Sequence, residues 1–243
     1  MEKTNSNKSA TSTNDFCEFI DALSSEERSV LKSNLSVKVP SFFNSNNHLK
    51  TGNDSTISEF KYLAKLLHRI SPNHDKIPPN GIIYRGFPEW LDESLLSKLQ
   101  KEALKRRDKP LDRTDHFLGC GGEYADTLSI SDELIHFVSK YAGLIKPTGI
   151  ASYLYYDEEG LGIKPHVDTD VFSINLMVML KHDFDAIEES SATLIFPSNG
   201  KNESHRLKIG EVMIMYGGNV VHARSIIKSN ETVHLLTIGF NPQ

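Results

Sequence analysis

The chain has 243 residues, 38% of them hydrophobic and 24% charged, the composition of a globular protein with ample material for a buried core. Its two cysteines, Cys17 and Cys120, exclude a disulfide framework and a four-cysteine zinc site, and no apolar run approaches the roughly 20 residues of a bilayer span. A formal net charge of −5 disfavours nucleic acid as the main partner, and the basic run K-E-A-L-K-R-R-D-K reads as the solvated face of a helix.

Residues 1–14 are polar, rich in Ser, Thr and Asn, and are expected to form a disordered tail. They lack the apolar segment of a secretory signal peptide, so the expected location is cytoplasmic, with no membrane partner. Residues 15–80 are expected to form a helical N-terminal extension packed on the core. Within it, D-F-C-E-F-I-D-A-L-S-S-E-E-R-S-V-L-K suggests two short helices, the second opened by a capping box of Ser24 and Glu27. Ile57, Phe60, Leu63, Ala64, Leu67 and Ile70 recur at helical spacing, which predicts a core-facing helix with His68 on its solvent side.

Residues 81–243 are expected to be the main domain. The strand G-I-I-Y-R-G-F leads into a helix over W-L-D-E-S-L-L-S-K-L-Q-K-E-A-L, and S-D-E-L-I-H-F-V-S-K-Y-A predicts another, capped by Ser129 or Ser131. From Gly149 onward, short β-rich runs alternate with Gly, Asn, Ser and Asp clusters: I-A-S-Y-L-Y-Y, V-F-S-I-N-L-M-V-M-L, A-T-L-I-F-P, E-V-M-I-M-Y and V-H-L-L-T-I-G-F. That order predicts an α+β protein, helices first and a β-sandwich or barrel second.

One short stretch within this β region carries chemistry. In I-K-P-H-V-D-T-D-V-F, His166 and Asp168 are two residues apart; on a strand they would share a face and present an imidazole nitrogen beside a carboxylate. An iron ion that activates dioxygen is held by two histidines and a carboxylate on one side, which leaves positions open. His222, in G-G-N-V-V-H-A-R-S after an apolar strand and a Gly-Gly turn, stands where a third ligand would fold back beside the first two. His182 and His205 lie in charged segments and read as solvated.

The succession of Y-L-Y-Y-D-E-E-G, P-H-V-D, S-I-N-L-M-V-M-L, A-T-L-I-F-P, L-K-I-G-E-V-M-I-M-Y, V-V-H-A-R and V-H-L-L-T-I-G-F resembles the Fe(II)/2-oxoglutarate-dependent dioxygenases, in particular prolyl-hydroxylase-like members. The resemblance covers residues 81–242. It implies a double-stranded β-helix (jelly-roll) core with N-terminal and flanking helices, and a metal triad of His166, Asp168 and His222. It further implies Fe(II), 2-oxoglutarate and O2 as cofactor and co-substrates, with succinate and CO2 released as a C–H bond is hydroxylated. A carboxylate at Asp168 fits hydroxylation, since halogenating relatives carry Gly or Ala there.

Many members place Arg or Lys about ten residues after the distal histidine to hold the far carboxylate of 2-oxoglutarate. Here that stretch reads S-N-E-T-V-H-L-L, and the sequence departs from the family. Arg224, two residues beyond His222 and on the same strand face, is the substitute candidate, with His234 and Lys228 behind it. Tyr153, Tyr155 and Asn175 stand at positions that in the family often line the co-substrate pocket. Asp157, Glu158 and Asp170 are carboxylates close to the triad in sequence; they could hold a cationic substrate or be solvated turn residues. The run from G-I-A-S-Y-L-Y-Y to P-H-V-D-T-D-V-F-S-I-N is similar to the free amino-acid hydroxylase and halogenase branch, so the expected substrate is a small molecule such as an amino acid. Hydroxylation of a protein or peptide side chain, or a non-catalytic binding module with an incidental H-x-D, are the alternatives. Oligomeric state is not legible.

Overall fold

A computed structural model describes residues 18–50, 54–71, 74–187 and 190–243. The expected tail over 1–14 and Cys17 lie outside the described residues. After a short helical turn over 18–22, helix α1 (Ser25–Ser36) opens with the capping box read from sequence: Glu27 N–H donates to Ser24 Oγ at 3.2 Å, and Ser24 N–H donates to Glu27 Oε2 at 2.8 Å. Helix α2 (Asp54–Arg69) buries Phe60, Leu63, Ala64 and Leu67, the stripe its spacing predicts. Next come α3 (Glu93–Arg107), capped by Asp92, then α4 (Glu123–Ser129) and α5 (Asp132–Ala142), capped by Ser131. Trp90 and Leu91 precede α3, because the chain enters the helix only where the Asp92 carboxylate can accept from Leu95 N–H at 2.7 Å.

The strands are β1 (Ile82–Gly86), β2 (Leu111–Arg113), β3 (His116–Cys120), β4 (Ile145–Tyr156), β5 (Ile174–Asp183), β6 (Thr193–Phe196), β7 (Glu203–His205), β8 (Val212–Met215), β9 (Val221–Arg224) and β10 (Thr232–Pro242). They form an antiparallel major sheet in the order β1-β8-β5-β10-β4-β3-β2 and a minor sheet in the order β7-β6-β9. This is an α+β jelly roll, two sheets face to face with helices on the flanks. Between the sheets lies a core that includes Met177, Met179, Met213, Met215, Val233 and Leu235 from the major sheet and Ile195 from the minor one.

Both sheets are covered on their outer faces as well. Helices α3, α4 and α5 pack on the back of the major sheet, where Leu99, Ala103, Ala125, Leu134 and Val138 meet Tyr153, Tyr155, Leu176, Leu236 and Ile238. The helical segment ahead of β1 covers the minor sheet: Phe43 and Phe60 meet Phe196, with Phe43–Phe196 and Phe43–Phe60 ring centroids 4.7 and 5.1 Å apart. Each such buried aromatic contributes about 2–3 kcal/mol through the surface it removes from water.

Several local expectations change. His166 and Asp168 are not on a regular strand; His166 makes a single antiparallel bridge with His222, and Asp168 follows in a loop. The run beginning V-F-S turns through a short 3-10 helix, Asp170–Phe172, before β5 begins at Ile174. Strands β2 and β7, each three residues long, and the seven-residue α4 are too short for periodicity to reveal. His182, expected in solvent, is buried on β5, and His205 is half-buried on β7 beside Glu203.

Candidate metal and carboxylate site

Strand parity places the site between the sheets. On β9, Val221 and Ala223 turn outward to the Phe43 and Phe60 cluster, while His222 and Arg224 turn inward. His166 is tied to His222 by two backbone hydrogen bonds of 2.9 Å, and Asp168 N–H donates to Gly217 O at 2.8 Å. Gly217 has to be small, because a Cβ there would run into the Asp168 carboxylate. The Gly-Gly turn of the sequence thus lets β8 pass the H-x-D loop at backbone distance.

The three side chains converge. His166 Nε2 is 3.3 Å and His222 Nε2 3.6 Å from Asp168 Oδ1, and the imidazole centroids are 4.5 Å apart. One ligand atom from each residue lies within 4.8 Å of the others, an arrangement that could hold a metal ion. The other nitrogens set the tautomer: His166 Nδ1 is 2.8 Å from Lys164 O and His222 Nδ1 is 2.9 Å from Val220 O. A carbonyl only accepts, so each Nδ1 carries the proton and each Nε2 of a neutral ring offers its lone pair to the shared centre. Asp168 Oδ2 accepts from Asn175 Nδ2 at 2.9 Å, which leaves Oδ1 aimed at the histidines. Burial pushes the Asp168 carboxyl up, but the two imidazoles outweigh burial and hold it far below the usual carboxylate range. Burial opposes charge on His222, yet Asp168 lifts its pKa above the ordinary value. Two lone pairs and an anion around one point favour a cation there.

The walls of the cavity containing this trio include Leu154, Tyr156, Ile163, Met177, Thr193 and Leu235. Arg224 stands in the same wall, 3% exposed, with its guanidinium carbon 5.9 Å from the Tyr156 ring centroid. Its Nη2 donates to Ser191 Oγ at 2.7 Å, while Nε and Nη1 are buried without a hydrogen-bond partner among the described residues. Burial draws its pKa down to about 10, so it still carries its charge at neutral pH. A buried guanidinium with two idle donors is costly unless an anion joins it, and a carboxylate oxygen is a charged acceptor for such a donor.

The remaining sequence candidates fall elsewhere. Tyr153 and Tyr155 lie on the opposite face of β4, where Tyr153 Oη donates to Glu102 Oε1 at 2.7 Å and Tyr155 Oη to Ala103 O at 2.7 Å. Leu154 and Tyr156 face the cavity instead. On β10, Leu235 and Thr237 line the cavity, so His234 points to the helical side, 3.7 Å from Asp157. Val233 shares the inner face and is apolar, which explains why the usual basic position is silent here. Asn175 does line the cavity, but its amide donates to Asp168 and its buried Oδ1 has no partner among the described residues. Lys228 is exposed in the turn before β10. Asp157 is committed to Arg107, and Asp170 to Lys32 and Ser29. Tyr156, which lines the cavity, is not distinguishable in the sequence because Y-L-Y-Y offers tyrosines to both faces of a strand.

No protein-family model matches the sequence, and no curated protein matches it significantly. Solved structures do. The α-ketoglutarate-dependent epimerase SnoN from nogalamycin biosynthesis superposes with a TM-score of 0.55 at 12% identity, covering 68% of this chain and 79% of that one. HygX from Streptomyces hygroscopicus, solved with nickel, 2-oxoglutarate and hygromycin B bound, gives 0.53 at 11% identity over 68% and 84%. A Pseudomonas putida prolyl-4-hydroxylase gives 0.51 at 16% identity over 68% and 94%. The chain therefore has the jelly-roll fold of the Fe(II)/2-oxoglutarate oxygenases.

Proposed function

We propose that this protein is an Fe(II)- and 2-oxoglutarate-dependent oxygenase that hydroxylates a C–H bond of a small molecule. The observation that carries the reading is the pairing, in one cavity, of a His-Asp-His trio with a buried arginine that has two idle donors. His166, Asp168 and His222 would hold the metal from one side, leaving positions for co-substrate and dioxygen. Arg224 would receive the far carboxylate of 2-oxoglutarate. Bound iron with 2-oxoglutarate supplies the oxidising chemistry, in which decarboxylation to succinate and CO2 accompanies oxygen transfer to the substrate.

The chain's own residues supply position and exclusion. Asn175 fixes the Asp168 carboxylate, the Gly217 carbonyl holds the Asp168 main chain, and Lys164 O and Val220 O fix the two imidazoles. Leu154, Ile163, Met177 and Leu235 keep the cavity apolar, which strengthens the arginine–carboxylate attraction and keeps water from the oxidant. The His166 side chain is 33% exposed against 7% for His222, so substrate would approach on the His166 side. A small-molecule substrate agrees with the ligands named for SnoN and HygX, and within that class a free amino acid or derivative is the reading taken from the H-V-D region.

The test is anaerobic addition of Fe(II), then 2-oxoglutarate, to purified protein. A weak visible charge-transfer band is expected, absent in His166→Ala; no band in folded, iron-loaded protein would overturn the proposal.

A further inference from the structure

We infer that Ser191 is a positioning residue for the carboxylate site: it stands between Glu231 and Arg224 and keeps the guanidinium turned so that Nε and Nη1 stay free for an anionic ligand. The inference rests on the co-substrate reading above and extends it to residues that do not touch the ligand. The Ser191 hydroxyl has one proton. Glu231 Oε1, 2.5 Å away, belongs to an ionised carboxylate and only accepts, so the Ser191 proton goes there. The Ser191 oxygen is then left to accept from Arg224 Nη2 at 2.7 Å. The chain of donors runs one way, from Arg224 to Ser191 to Glu231.

Glu231 is itself held from several sides. It accepts from Ser191 N–H at 2.7 Å, from His182 Nε2 at 2.9 Å and from Lys228 N–H at 3.2 Å, and it is 5% exposed. Ser191 cannot drift either, because the next residue is stapled to the strand end beyond Arg224: Ala192 N–H donates to Ser225 Oγ at 2.8 Å, and Ser225 N–H to Ala192 O at 3.0 Å. A carboxylate in direct contact with Arg224 would take a two-pronged grip and occupy the donors that a ligand needs. One hydroxyl between them prevents that. Glu231 still offsets part of the buried positive charge, and Nε and Nη1 stay open to a ligand.

The experiment loads the protein with Zn(II), which removes turnover, and measures the affinity for 2-oxoglutarate and for pyruvate by calorimetry. Pyruvate shares the keto acid but lacks the far carboxylate. Ser191→Ala is expected to weaken 2-oxoglutarate about 10-fold and leave pyruvate within about 2-fold, and Ser191→Thr, which keeps the hydroxyl, to restore binding. If Ser191→Ala does not fold, the isosteric pair Ser191→Thr and Ser191→Val makes the same comparison. Unchanged 2-oxoglutarate affinity, or equal losses for both ligands, would overturn the inference while leaving the co-substrate reading intact. Wild-type protein that binds 2-oxoglutarate no better than pyruvate would overturn both.

Discussion

Arg107, half-buried, and Arg224, buried, lie on opposite faces of the major sheet, and their bonding is opposite too. Arg107, at the end of α3 on the back of the major sheet, grips Asp157 with Nε and Nη2 at 2.7 and 2.9 Å and stacks 4.0 Å above the Phe117 ring. Arg224, between the sheets, has one hydroxyl as its partner and two idle donors. The first is a finished ion pair that holds a helix to a strand. The second is an unfinished site, and a fold carries that cost where a ligand completes it.

Four substitutions and a pH scan test this contrast. Arg224→Met should weaken 2-oxoglutarate by about 100-fold, as for removal of one member of a buried charged pair, and leave the melting temperature unchanged or higher because an incompletely compensated charge leaves the interior. Calorimetry and thermal unfolding on the same sample check both halves. Arg107→Met should do the reverse: stability falls by about 2 kcal/mol in a urea titration, between exposed and fully buried pairs, with 2-oxoglutarate affinity unchanged. Asn175→Ala frees the Asp168 carboxylate to turn, and metal affinity should fall about 10-fold with little change in the melting temperature.

The acid limb of stability separates the two arginines again. Burial pushes the Asp157 carboxyl up, but its bonds to Arg107 outweigh burial and bring it below the ordinary 3.8. A depressed carboxyl stabilises the fold above its unfolded value, and that contribution is lost as pH falls through the lower folded value. In Arg107→Met the depression disappears, so acid unfolding followed by circular dichroism should begin at higher pH than in the wild type; an unmoved limb would remove Asp157 from the account. The smallest effect is at Lys32, which reaches from α1 to Asp170 at 2.9 Å. The Asp170 side chain is 62% exposed, so Lys32→Met should cost no more than about 1 kcal/mol.

How far the site was legible depends on which face each residue could be assigned to. His222 and Arg224 are two apart on one strand, so placing the arginine beside the histidine needed only the alternation of a strand. The same alternation misled on β4. Tyr153 and Tyr155 share a face, but both faces of the major sheet are buried, one by helices and one by the cavity, so neither polarity nor burial distinguishes inside from outside. His234 failed for the same reason. His182 looked solvated because Lys181 and Asp183 flank it, and only the approach of Glu231 from 49 positions away gave it a partner.

The order of strands, the helix caps and the H-x-D with a distal histidine were determined by the sequence itself, because they rest on local chemistry: periodicity, capping donors and metal-ligand types. Pairings across long chain separations were decided only by the tertiary structure. Ser191 meets Arg224 across 33 residues and Glu231 across 40, and Asn175 turns toward Asp168 only once β5 lies beside the loop. A hydroxyl that positions an arginine is, in the bare sequence, one serine among many; its role arises when two sheets close around a charge that water can no longer reach.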